Sequence, residues 1–137
     1  MKHKGTKATE EETNEVSRKI LGAAIEVHKS LGPGLLESAY EKCLAHEFSL
    51  RGLTFERQVR LPVIYKGMLL DCGYRMDFIV NEIIVLEIKS VEHVLPLHAQ
   101  QVLTYLRLFG FWLGLLLNFN VEVLRQGISR IVNGSPL

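Results

Sequence analysis

The sequence predicts one small α/β domain in which two helices precede three or four antiparallel strands, a third helix and a further strand. Three observations carry this prediction. The 137 residues suit a single domain, and 47% hydrophobic residues are enough to build its core. Apolar residues recur at helical spacing as far as residue 51, then at a spacing of two beyond Phe55. Two later stretches, Ile83 to Leu86 and Phe111 to Asn118, are apolar along their length, as strands buried on both faces are.

Met1 to Ala8 is polar and aperiodic, so a flexible tail is expected there, with one domain over 9–137. Thr9-Glu10-Glu11-Glu12 has the form of a capping box, with acids where a helix dipole favours them. Val16, Ile20, Ala23 or Ala24, Val27 and Leu31 continue that helix until Gly32-Pro33-Gly34 stops it. A second helix runs from about Leu35 to Arg51, with Leu36, Ala39, Tyr40, Cys43, Leu44 and Phe48 as its apolar face and Gly52 closing it. Phe55 to Tyr65 alternates as a half-buried strand, and Pro62 places it at an exposed edge. After a turn at Lys66-Gly67 come Met68 to Leu70, Tyr74 to Val80, and Ile83 to Lys89, the last expected at the sheet centre. Pro96 precedes a helix from about Leu97 to Phe109 that ends at Gly110. A final short strand is expected at Ile128 to Val132.

Composition narrows the function. A net charge of +1 excludes a protein that is basic all over, so nucleic acid would have to meet a local patch. The two cysteines, Cys43 and Cys72, have no metal or redox spacing and read as buried reduced thiols. No apolar signal core opens the chain, and the longest apolar run, Leu108 to Leu117, is about half a bilayer span. A cytoplasmic protein without membrane contact is therefore expected. The exposed edge strand and apolar composition allow a homodimer.

The chemistry concentrates around two strands. Glu87 and Lys89 share one face of the strand that Ile88 separates them on. Alone, they read as an ion pair emerging into solvent. Asp77, ten positions earlier in the preceding strand, adds a second carboxylate that a hairpin can bring alongside. Two acidic oxygens beside one lysine make a hard site for Mg²⁺ or Mn²⁺, completed by water and phosphate. His93 and His98 lack the further ligands of a zinc site, and no phosphate-binding glycine loop is present.

Asp77 followed by Glu87-x-Lys89 resembles the signature of the PD-(D/E)XK nucleases. Gly34-Leu35-Leu36-Glu37-Ser38-Ala39-Tyr40 resembles the GxxExxY motif of a small bacterial branch of that superfamily. Gln101 to Tyr105 is similar to the QxxxY helix of several branches, and Leu115 to Phe119 to a strand ending in Asn-Phe. The usual proline before the first acid is replaced by Arg75-Met76. The resemblance implies a restriction-endonuclease-like αβββαβ core, a mixed central sheet flanked by helices. It implies a metal held by Glu37, Asp77 and Glu87, with Lys89 assisting the attacking water and Gln101 and Tyr105 positioning the site. For Glu37, helix-dipole preference explains the residue equally well.

The expected activity is metal-dependent hydrolysis of DNA or RNA phosphodiesters. A non-catalytic binding or assembly module on the same fold, and a hydrolase of small phosphate esters, are the alternatives. Register provides a test. A regular two-residue turn at Asn81-Glu82 would set Asp77 against Leu86, on the face opposite Glu87. A shared metal therefore requires a loop of odd length, such as Asn81 to Ile83, or a bulge near Asp77.

Overall fold

The computed structural model describes residues 7–134. The first helix, α1 (Glu10–Leu31), starts where the Thr9 side chain accepts a hydrogen bond from the Glu12 amide at 3.0 Å. Its buried stripe is Val16, Ile20, Ala23, Ala24 and Val27, and Gly32 ends it with φ at 70°. The tail expected through Ala8 falls mostly outside the described residues, but Ala8 itself is buried in the core.

The second helix, α2 (Glu37–Leu50), buries Tyr40, Leu44, Ala45 and Phe48. This stripe is narrower than the expected apolar face, so Leu36 and Cys43 point to solvent. Both cysteines are free and exposed, which corrects the expectation of buried thiols. Cys43 lies beside the buried stripe of α2, and Cys72 lies in the loop before Tyr74.

The strand expected over Phe55 to Tyr65 is two strands. The first, β1 (Phe55–Arg60), joins the main sheet, whereas β2 (Val63–Tyr65) pairs only with β3 (Met68–Leu70) in a separate hairpin. Pro62 has no amide hydrogen for a ladder, so the pairing breaks beside it. The remaining elements are β4 (Arg75–Val80), β5 (Ile84–Lys89), α3 (Pro96–Phe109), β6 (Leu113–Asn118), a 3₁₀ turn at Leu124–Gly127 and β7 (Ile128–Val132).

The main sheet has the order β1-β4-β5-β6-β7, with β5 and β6 parallel and every other pair antiparallel. The parallel pair needs a crossover, and α3 supplies it. On one face α1 and α2 pack against Phe78, Val80, Ile84 and Leu86. On the other, Val102, Tyr105 and Leu106 of α3 pack against Met76, Ile79 and Val85. Gly114 permits this second contact, because a Cβ there would stand 2.7 Å from Val102 Cγ1. The apolar run through Leu117 spans the end of α3 and most of β6, and among the described residues no helix is long and apolar enough to cross a membrane.

The β4–β5 hairpin takes the odd-length alternative. Val80 pairs with Ile84 and Phe78 with Leu86, leaving the three residues Asn81 to Ile83 as the loop. Asn81 and Glu82 both adopt left-handed backbone, with φ of 52° and 60°, and the Ile83 amide closes on the Val80 carbonyl at 3.0 Å. Extending this register places Asp77 opposite Glu87, on one face of the sheet.

Candidate active site

The backbone ladder between β4 and β5 runs from Val80↔Ile84 to Phe78↔Leu86. Beyond it, side chains take over. The Asp77 amide donates to Glu87 Oε2 at 2.9 Å, and the Ile88 amide donates to Asp77 Oδ2 at 2.8 Å. Each carboxylate thus satisfies an amide of the opposite strand, which fixes the two acids against each other. Glu87 is only 8% exposed. Burial, then the neighbouring Asp77 charge and a side-chain hydrogen bond with it, hold the Glu87 carboxyl well above its ordinary range. The backbone hydrogen bond from Asp77 and the Lys89 charge act in the opposite direction.

Lys89 is half-buried at the end of β5, two residues beyond Glu87 on the same face. Its carbonyl accepts from the Phe119 amide at 2.9 Å. Asn118, opposite Lys89 on β6, accepts from the Val91 amide at 3.1 Å and donates to the Val91 carbonyl at 2.9 Å. The Asn-Phe ending of β6 therefore anchors the segment that leaves the lysine. Phe119 stacks on Tyr40 with centroids 4.6 Å apart, and the Tyr40 hydroxyl donates to the Gly32 carbonyl and accepts from the Leu35 amide. Tyr40 is wholly buried, so its part in the GxxExxY pattern is to fix the turn before α2.

Glu37 is exposed, and its Oε2 accepts from the Ser90 amide at 3.3 Å, one residue past Lys89. It reaches the end of β5 without joining Asp77 and Glu87 in one cluster. A residue that the sequence reading passed over lies closer to Asp77 in the hydrogen-bond network. Glu41, one turn after Glu37, accepts from Gln58 Nε2 at 2.6 Å and pairs with Arg57 at 2.7 Å. The same Gln58 nitrogen lies 3.3 Å from Asp77 Oδ1. The Glu37-to-Glu41 spacing was the available signal, since residues four apart share a helix face.

Gln58 is held at φ 49°, a left-handed value within β1. The ladder between β1 and β4 skips it, from Arg57↔Phe78 to Val59↔Met76, next to Asp77. Backbone strain of this kind persists where surrounding structure enforces it.

Across the site, Tyr105 is 5% exposed on α3. Burial, then the charges of Glu87, Tyr74 and Asp77, push its hydroxyl up to about 12, so it stays a neutral donor at any ordinary pH. Gln101, one turn earlier, makes no hydrogen bond to either carboxylate. Both residues instead line a groove of about 470 Å³ that also includes Tyr74, Leu97, His98 and Leu108. His98 has a local role, since its Nδ1 accepts from the Leu95 amide at 3.0 Å at the start of α3.

Among the described residues, no three His, Cys, Asp or Glu side chains are gathered tightly enough to hold a metal by themselves. The Asp77–Glu87 pair nevertheless fits a small divalent cation. It offers hard oxygen donors, its mutual repulsion is what a cation relieves, and such ions keep water or phosphate in their remaining positions. No curated protein and no solved structure matches the chain. The family model described as the PD-(D/E)XK nuclease superfamily matches residues 14–131. That span holds the acid pair, the lysine and every strand of the sheet except the last residue of β7, and the chain belongs to the PD-(D/E)XK nuclease superfamily.

Proposed function

We propose that the protein is a metal-dependent phosphodiesterase that hydrolyses DNA or RNA, within the GxxExxY branch of its superfamily. The observation that carries this reading is the facing of Asp77 and Glu87, with Lys89 on the same side of β5. Mg²⁺ or Mn²⁺ held by these two carboxylates would polarise the scissile phosphate and favour ionisation of an attacking water. Lys89 orients that water and places positive charge where negative charge develops on the phosphoryl oxygens. Tyr105, neutral up to about 12, donates a hydrogen bond without giving up its proton. Gln58 and Glu41 set the orientation of Asp77 from β1 and α2. Glu37 steadies the exit of β5 through the Ser90 amide.

The test is incubation with labelled single- and double-stranded DNA and RNA in the presence of Mg²⁺ or Mn²⁺, beside a Lys89→Ala control. Cleavage by the wild type and its loss in the variant are expected. Absence of cleavage across the panel, or equal cleavage by the variant, would remove the reading.

A further inference from the structure

The groove along α3 differs in character from the acid pair it adjoins. It is bounded by Leu97 and Leu108 on the helix and by Tyr74 before β4, and its lining contains no Asp, Glu, Lys or Arg. A phosphate has no cation to meet there. A neutral, flat, partly polar group is suited to it, because Tyr74, Tyr105 and His98 offer rings while Gln101 offers an amide at the edge. Its volume of about 470 Å³ lies within the range of small-molecule sites, roughly 300–1,000 Å³.

Position ties the groove to the chemistry. Tyr105 lines it and packs in one cluster with Ile79 of β4 and Val85 of β5, each two residues from Asp77 or Glu87 on the same face of the sheet. A chain whose phosphate sits at the acid pair therefore carries its neighbouring base towards the groove. In a duplex that base is stacked and paired, and reaching the groove would require extracting it from the stack. An unpaired base reaches it freely.

We infer that this groove is a subsite for one unpaired nucleobase next to the scissile phosphate, which makes single-stranded or locally unpaired nucleic acid the substrate class. The inference rests on the nuclease reading above. The groove supplies stacking and apolar contact, and the acid pair with Lys89 supplies the phosphate chemistry. Leu97 and Leu108, which are 72% and 51% exposed, are left uncovered by the fold, as expected of walls that a ligand covers.

The experiment uses one labelled strand, as DNA and as RNA, presented alone, as a perfect duplex, and alone with a single abasic position moved stepwise along it. Cleavage with Mg²⁺ or Mn²⁺ is followed, and fluorescence anisotropy gives the affinity for the same strands and for a fully abasic strand. The comparison protein carries Leu97→Gln and Leu108→Gln, neutral changes at exposed positions. The single strand is expected to be cut and bound at least about tenfold better than the duplex. An abasic position should suppress cleavage at one fixed offset. The double variant should lose about tenfold in affinity for the base-bearing strand and nothing for the abasic one. Equal handling of duplex and single strand, or tolerance of abasic positions throughout, would overturn the subsite while leaving the nuclease reading in place. It would leave the groove to another occupant, such as an apolar peptide. Leucine-dependent binding of the single strand without cleavage would support the subsite and remove the catalytic reading. Neither binding nor cleavage would overturn both.

Discussion

Asp77 and Glu87 hold each other through the backbone: the amide of Asp77 donates to the Glu87 carboxylate, and the Asp77 carboxylate accepts from the amide that follows Glu87. The strands part beyond Phe78 and Leu86, and the two acids occupy the gap in the ladder. Two like charges fixed side by side are costly in a buried place, and a divalent cation held by the pair would relieve that cost.

Metal binding should therefore depend on Asp77 more than on any acid of α2. Calorimetric titration with Mn²⁺ should show Asp77→Asn binding at least about tenfold more weakly than the wild type. Glu37→Gln should bind within a fewfold of the wild type, since its carboxylate meets the Ser90 amide. Equal affinity of wild type and Asp77→Asn would dismiss the acid pair as the metal site.

Glu87 makes stability depend on pH in an unusual direction. Its folded pKa is raised by burial and by Asp77, whereas the unfolded chain ionises near the ordinary value of 4.5. Above that value the native state retains a proton that the unfolded state has released, so stability falls as pH rises. The loss is complete once pH passes the folded pKa, and it is absent below the unfolded one. Metal-free Glu87→Gln should thus be more stable than the wild type at neutral pH, with the difference shrinking as pH falls towards 4. Added Mg²⁺ should raise the wild-type Tm and leave that of the variant nearly unchanged. A neutral-pH Tm for metal-free Glu87→Gln below that of the wild type would contradict this account.

Much of this arrangement is legible in the sequence for physical reasons. Periodicity and stop residues locate the helices, and the continuous apolar runs identify β5 and β6 as interior strands. Counting along the hairpin showed that Asp77 and Glu87 could meet only through an odd loop or a bulge, and the three-residue loop fulfils that requirement. What escaped the sequence depends on tertiary placement. Pro62 signalled an edge, but whether the chain would run on past it or break into a second hairpin depends on what β2 pairs with. Gln58 alternates like any strand residue, and no local pattern predicts its left-handed backbone. Glu41 acquires its role only because α2 packs where Gln58 can reach it.

Under the proposed activity, Lys89 is where catalysis and folding can be tested apart. It is half-buried at a strand end, where little packing depends on its ammonium. Lys89→Ala should lower kcat for any cleaved substrate by about 10²–10³-fold, the loss typical of one charge-stabilising donor. Circular dichroism and Tm should remain close to wild type. A variant that unfolds would instead make Lys89 a structural residue, and one that cleaves normally would assign the activity to other groups.

The strain at Gln58 can be tested apart from any activity. A left-handed conformation costs a non-glycine residue roughly 1–2 kcal/mol, whereas glycine adopts it freely. In an ordinary strand position the order is reversed, because glycine loses more backbone entropy on folding than alanine. Gln58→Gly and Gln58→Ala both delete the contacts to Glu41 and Asp77, so their difference isolates the backbone. Urea unfolding should find Gln58→Gly more stable than Gln58→Ala by about 1 kcal/mol. Both should also cleave more slowly than the wild type, since Asp77 loses its link to α2. If alanine proves the more stable of the two, Gln58 relaxes to extended backbone in solution, and the skipped pair in the β1–β4 ladder is not a built feature of the site.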